Sequence, residues 1–124
     1  MLGKFNRIVF RLGYQGQITG DGSDNAVDGR HVLLPAKAKL VDARISCTAC
    51  AATAAKISVY QGSTKVCDQH TLTSSAKTGQ MTLTAAKKDT IYSAGAEFSL
   101  KEQTTSGSTV DNIDVVLVFR AYQA

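Results

Sequence analysis

Three cysteines and one histidine have the residue types and the spacing that metal chemistry requires. Two residues separate Cys47 from Cys50, two separate Cys67 from His70, and residues 51–66 lie between the two pairs. Thiolates and imidazole at such spacing are the ligands of closed, tetrahedral zinc sites. A zinc ion held by all four side chains would stabilise a small β module and would not catalyse a reaction.

Three features of the same segments favour ordinary core positions instead. Ala51 stands where a zinc knuckle usually has glycine. Cys47 falls on the apolar side of an alternating stretch, where a small buried side chain is expected. His70 shares a strand side with Val66 and Leu72. We therefore expect buried structural thiols and no metal or other cofactor, with a zinc site and a disulfide as the alternatives.

Other catalytic and metal-binding patterns are absent or incomplete. The stretch 21–26 begins like a calcium loop, but Ala26 and Val32 occupy the positions that require glycine and glutamate. The chain has only two histidines, and it contains no nucleophile elbow, phosphate-binding loop or zinc-protease motif. We expect a protein that is not an enzyme.

The distribution of charged and apolar residues argues against nucleic-acid and membrane partners. The net charge is +4, but no basic run exceeds Lys87-Lys88, and the few aromatic residues are not interleaved with basic ones. The longest apolar run, 115–119, is far too short to span a bilayer. Arg7 and Arg11 bracket the apolar cluster near the N-terminus, so we expect no signal peptide and synthesis in the cytosol.

The segment from 90 to 122 contains the clearest strand pattern. Apolar residues recur at every second position from 113 to 119, which predicts a β-strand with one buried face. Val116 and Val118 make the other face half apolar. We therefore expect a central strand whose second face is partly covered, either by another part of the chain or by a subunit interface.

Strand signals at short intervals, with turn residues between them, indicate an all-β protein. About eight strands and no long helix are predicted. This pattern favours an antiparallel β-sandwich of the jelly-roll type, with two four-stranded sheets. An immunoglobulin-like sandwich is the alternative, but the chain has no tryptophan for the core of that fold.

The first 30 residues differ in composition from the rest. Six of the ten glycines lie at positions 3, 13, 16, 20, 22 and 29. So much glycine makes ordering costly in entropy, and burial within the segment offsets little of that cost. We therefore predict an extended, Gly-rich N-terminal arm over 1–30, held by a partner chain, followed by a β-sandwich domain over 31–124.

A resemblance adds a context to this fold prediction. The stretches 34–40, 57–62 and 93–100, together with the closing apolar strand, resemble the small jelly-roll decoration (cement) proteins of tailed bacteriophage capsids. The resemblance spans about 34–120. It implies a non-enzymatic virion structural protein on the outer surface of the capsid, which stabilises the shell by binding the major capsid protein and neighbouring copies as a homo-oligomer.

The arm supplies the residues that such docking would use. Its apolar side chains would pack on the shell or on a neighbouring copy, and its arginines would meet acidic capsid surface. The predicted partner-binding residues are Phe5, Arg7, Ile8, Phe10, Arg11, Leu12 and Tyr14. This reading predicts that a chain lacking 1–29 folds but no longer binds.

A receptor- or glycan-binding domain of a phage fibre or tail is the alternative from another class. Jelly-roll lectins stack sugars on exposed aromatic rings, and this chain has four tyrosines, at 14, 60, 92 and 122. That function would require several of these rings to line one sugar-sized pocket.

Overall fold

The computed structural model describes residues 7–27, 31–51 and 55–121, and these residues form β-strands and no helix. Accordingly, no helix long and apolar enough to cross a membrane occurs in these ranges. The strands are β1 (Arg7–Thr19), β2 (Asp24–Ala26), β3 (Val32–Leu33), β4 (Ala38–Ser46), β5 (Ala49–Cys50), β6 (Ala55–Gln61), β7 (Thr64–Leu72), β8 (Thr78–Gln80), β9 (Ile91–Tyr92), β10 (Glu97–Thr104) and β11 (Thr109–Ala121).

The strands form two antiparallel sheets that share one apolar core. The first sheet has the order β1-β11-β4-β8, with β5 paired to β11 and β9 paired to β4. The second sheet has the order β2-β10-β6-β7, with β3 paired to β10. The predicted all-β antiparallel sandwich is confirmed, and the two four-stranded paths are consistent with a jelly roll.

The last two strands occupy inner positions in different sheets. β11 lies between β1 and β4, and β10 lies between β2 and β6. The alternating apolar residues of β11 point into the core and are at most 2% exposed, which confirms the prediction of a central strand. These buried residues of β11 are Ile113, Val115, Leu117 and Phe119.

Aromatic rings join the two sheets through the core. Phe98 on β10 meets Phe119 on β11 edge to face, with 5.0 Å between ring centroids. Phe119 also contacts Phe10 of β1 at 6.0 Å, and Phe98 contacts Tyr92 of β9 at 5.2 Å. Such edge-to-face pairs add about 0.5–1.5 kcal/mol each beyond the apolar area that they bury.

The N-terminal segment differs from the predicted arm. β1 pairs with β11 from Arg7 opposite Arg120 to Thr19 opposite Thr109, and Leu12 is fully buried. The alternation of apolar residues gives β1 a face that the core can bury, and this burial offsets the entropy cost of its glycines. Removal of 1–29 would delete β1 and β2, one strand from each sheet, so the truncated chain is not expected to fold. The boundary at residue 30 stays a prediction, because 28–30 lie outside the described residues.

Gly20 marks the point where the chain leaves the first sheet for the second. Its N–H donates to the Ser108 carbonyl at 2.7 Å, and its carbonyl accepts from the Gly107 N–H at 3.1 Å. A Cβ atom at this position would lie far inside van der Waals contact of the carbonyl oxygens of Thr104 and Thr105. The crossing therefore requires glycine, because rigid backbone occupies the space of a side chain.

The three thiols are core residues, as expected. Cys47, Cys50 and Cys67 are all buried, and none of them forms a disulfide. Cys50 donates its S–H to the Leu72 carbonyl at 3.5 Å. Cys67 is fully buried on β7, and this burial raises the pKa of its thiol to about 12.

Replacement of Gly20 by alanine should destabilise the whole domain. Overpacking of this kind costs about 1–3 kcal/mol, and the clash is with backbone that cannot move aside. We expect Gly20→Ala to lower the free energy of unfolding in urea by that amount. The control is Ser106→Ala, in the adjoining exposed turn, which should change it by less than about 0.5 kcal/mol. Equal stability of the two variants would contradict the close approach.

Deprotonation of Cys67 in the unfolded chain should lower the free energy of unfolding at alkaline pH. Its pKa is raised in the folded chain from 9.0 to about 12, so between these values the unfolded chain releases a proton that the folded chain retains. The free energy of unfolding should therefore be unaffected by this thiol below pH 9 and fall by up to about 1.4 kcal/mol per pH unit above it. Urea unfolding of wild type and Cys67→Ala from pH 7 to 11 measures this, and parallel curves would contradict it.

Candidate functional site

The residues predicted to bind a partner lie on opposite sides of β1. Leu12 is fully buried, and Ile8, Phe10 and Tyr14 are half-buried and pack against the core. Within the sandwich, these four side chains are not a free docking surface. Arg7 and Arg11 lie on the other side of β1 and are exposed. Phe5 lies outside the described residues.

The outer face of the first sheet carries an apolar stripe across three strands. Val9 of β1 is 57% exposed and pairs with Val118 of β11. Val116, two residues before Val118 on β11, is half-buried. Val41 is the extra residue of a β-bulge in β4 and is 37% exposed. We call these four residues the valine stripe. The second face of β11 is thus only partly covered, by side chains of its own sheet.

Positive charge surrounds the valine stripe. Arg11 donates to Asp114 at 2.7 Å, and Arg44 donates to Asp42 at 3.2 Å. These exposed ion pairs contribute little to stability. Residues that pair across β1, β11 and β4 form rows on this outer face, and four such rows together contain five cationic and two acidic side chains. In order along the sheet, the rows are Arg7, Arg120 and Lys39, then Val9, Val118 and Asp42, then Arg11, Val116 and Arg44, and finally Gly13, Asp114 and Ser46.

The outer face of the second sheet is polar by comparison. Lys101 lies over the ring of Tyr60, with 4.4 Å from its Nζ atom to the ring centroid. Gln69 donates to the side chain of Gln103 at 3.1 Å. Among the described residues, one large aliphatic side chain is exposed on this face: Leu33 of the short strand β3, opposite the outward Glu97, at 60%. The two outer faces therefore differ in chemistry, because the first carries neighbouring valines on three strands and the second exposes a single leucine on β3.

A shallow concavity of about 510 Å³ lies beside Arg11 of β1. Arg11, Tyr14, Cys47, Asn112 and Asp114 are among its lining residues. Asn112 shapes it: this residue has a positive φ of 54°, and its side chain accepts from the Gly16 N–H and donates to the Thr48 hydroxyl, both at 2.8 Å. The concavity offers one aromatic ring with several polar groups.

The tyrosines do not converge on this concavity. Tyr14 lines it, whereas Tyr60 lies in the second sheet and Tyr92 is only 7% exposed. Tyr122 lies outside the described residues. The described tyrosines thus form no common stacking surface for a sugar, and the glycan-binding alternative gains no support from them.

The four residues with zinc-ligand spacing do not assemble into a metal site. Cys67 lies on β7 opposite Val59, while Cys50 lies on β5 in the first sheet. The ring of His70 packs on the backbone of Gly79, so that a Cβ atom there would lie 2.6 Å from Nε2. No group of three or more potential metal ligands occurs in the described parts of the chain. The zinc alternative therefore has no geometric support.

The sequence alone indicates two of the four valines of this face, Val116 and Val118, but not Val9 and Val41. Val9 was overlooked because docking was assigned to the apolar residues at 8, 10 and 12, which alternate with it. Period-two alternation places Val9 with Arg7 and Arg11, and this signal was present in the sequence. Val41 carried no such signal, because a bulge sets its direction.

The comparisons with known proteins identify the fold. The sequence matches no protein-family model and no curated protein. The structure is similar to a chain of the cyanophage Pam1 capsid asymmetric unit, with a TM-score of 0.53 and 11% identity, over 98% of this chain and 89% of that chain.

A second similarity is partial. The catalytic domain of a GH87 alpha-1,3-glucanase in complex with nigerose matches with a TM-score of 0.43 and 14% identity, over 95% of this chain but only 28% of that chain. A similarity this weak carries no argument. The similarity to the capsid chain covers nearly all of both proteins, so this chain has the fold of a phage capsid chain, in agreement with the resemblance found in the sequence.

Proposed function

We propose that this protein is a non-enzymatic structural component of a phage virion that decorates the outer surface of the capsid and stabilises it. The fold shared with a capsid chain over almost the full length supports the virion context. The single observation that carries the docking proposal is the valine stripe with its surrounding arginines. A sheet face of this kind, exposed on one side of a sandwich, is typical of a surface that binds another protein.

The major capsid protein is the partner in this proposal. The valine stripe would bury apolar area against the shell, with Val9 at its most exposed end. Arg7 and Arg11 would form charge-assisted hydrogen bonds to capsid carboxylates, and the guanidinium group is well suited to such bidentate contacts. The polar outer face of the second sheet would then point away from the shell into water.

Contacts between copies would use the edge of the first sheet. β1 pairs with β11 on one side and ends that sheet on the other. An edge strand presents unpaired backbone groups to which a strand of a neighbouring copy or of the shell can add. This contact would link decorating copies into a homo-oligomer on the capsid surface.

Disruption of the valine stripe should weaken capsid binding. Val9→Asp would place an unpaired carboxylate in the apolar centre of the interface, which is unfavourable unless a partner neutralises it. We expect at least tenfold weaker binding to undecorated capsids by cosedimentation. Thr71→Asp introduces the same charge at an exposed position of β7, on the second sheet, and this variant should bind like wild type. Equal loss in both variants would contradict the assignment of the face.

Charge reversal at Arg7 should weaken binding in a salt-dependent way. Arg7→Glu and the control Lys56→Glu make the same change in net charge on opposite outer faces. We expect about tenfold weaker capsid binding for Arg7→Glu at low salt, with a smaller difference at 0.5 M salt because exposed charges are screened there. If both charge reversals weaken saturable binding equally, this face is not the docking surface. If wild type does not bind capsids at all, the proposed function is wrong.

A further inference from the structure

A glutamate occupies a core position on β10. Glu102 is 4% exposed and follows Phe98 and Leu100 on the inward side of the strand, with Thr104 after it. Its neighbours on that side are apolar or fully buried. Burial of a carboxylate is costly unless hydrogen bonds or a cation compensate for the lost water.

The compensation is incomplete at one of its two oxygens. Oε1 accepts a hydrogen bond from the Thr104 hydroxyl at 2.6 Å. Among the residues that the structure describes, Oε2 accepts one hydrogen bond, from the side-chain amide of Asn25 at 3.4 Å, and the same amide also donates to Asp21 at 2.9 Å. Within the described ranges, no lysine, arginine or histidine forms an ion pair with Glu102.

A cavity of about 200 Å³ opens at this carboxylate. It is lined by residues of β1, β2 and β10, where the two sheets meet at the edge of the sandwich: Tyr14, Gln17, Ile18, Ala26, Val27 and Glu102. Its volume is several times the roughly 30 Å³ that one water molecule takes up in the liquid. We call it the Glu102 slot. Its lining is mostly polar: the carboxylate of Glu102 and the amide of Gln17 lie beside one aromatic ring and a smaller aliphatic area.

We propose that the Glu102 slot binds an alkylammonium group, either the side chain of a lysine on another protein or a free polyamine. The methylene stem would lie against Ile18 and Val27, and the ammonium group would donate to Oε2 of Glu102. The ring of Tyr14 adds a cation–π contribution when the cation approaches its face.

Two other cations fit the slot less well. A guanidinium group binds a carboxylate best through both oxygens, and the Thr104 hydroxyl already takes one of the two acceptor sites of Oε1. A divalent metal requires several oxygen ligands, whereas Glu102 supplies the one carboxylate among the lining residues. The slot is separate from the valine stripe, so this inference holds whether or not the chain binds capsids.

Titration of the full-length ¹⁵N-labelled protein with n-butylammonium tests the proposal. Amide NMR signals of Ile18, Ala26 and Val27 should shift saturably with n-butylammonium, and the uncharged isostere n-butanol should bind at least tenfold more weakly. Glu102→Gln should also weaken n-butylammonium binding at least tenfold. Glu97→Gln, the matched change at an exposed position of the same strand, should leave it unchanged.

The wild-type comparison decides the question even if Glu102→Gln does not fold. Absence of saturable shifts, or equal binding of n-butylammonium and n-butanol, would overturn the proposal. Equal binding by wild type and a folded Glu102→Gln variant would overturn it as well. Parallel titrations with Nα-acetyl-lysine amide and with spermidine identify the source of the alkylammonium group. Tighter binding of the lysine derivative indicates a protein side chain, and tighter binding of spermidine indicates a polyamine.

Discussion

The contact between Phe98 and Phe119 joins the two sheets through their central strands, and the rest of the domain is arranged around it. β10 and β11 follow each other in the chain but belong to different sheets, so the turn between them fixes the two sheets face to face. Phe10 and Tyr92 extend the same aromatic cluster on the side of the first sheet. Every longer strand of the sandwich pairs with β10 or β11, or with a strand that does.

This arrangement determines which chemistry is left for the surface. The core takes the apolar side of β1, and alternation then directs the valine and arginines of that strand outward. The half-apolar, positively charged outer face thus follows from the burial of the opposite side of β1 in the core. Glu102 is the opposite case, because the phase of β10 directs a carboxylate inward beside Asn25 and the end of β1. Both candidate sites therefore depend on strand phase.

Local patterns predicted the elements well and their partners poorly. The alternation from Ile113 to Phe119 indicated a central strand, because a fully apolar face leaves few other options. The role of β1 was missed since glycine content suggested an arm, and its pairing partner lies about a hundred residues away; Arg11 and Asp114 are 103 positions apart. Glu102 could have been found, since it is in phase with Phe98 and Leu100. The bulge at Val41 leaves no such trace.

The order of the strands has a consequence for synthesis. A nascent chain that ends before Thr109 lacks the centre of the first sheet, so β1 must wait for β11. At the usual rate of about 5–20 residues per second, the 103 positions between Arg11 and Asp114 take about 5–20 s to translate. During that time the apolar residues of β1 lack their pairing partner in the first sheet. Arg7 and Arg11 then act as gatekeepers, because charges within such a segment oppose its aggregation with other nascent chains.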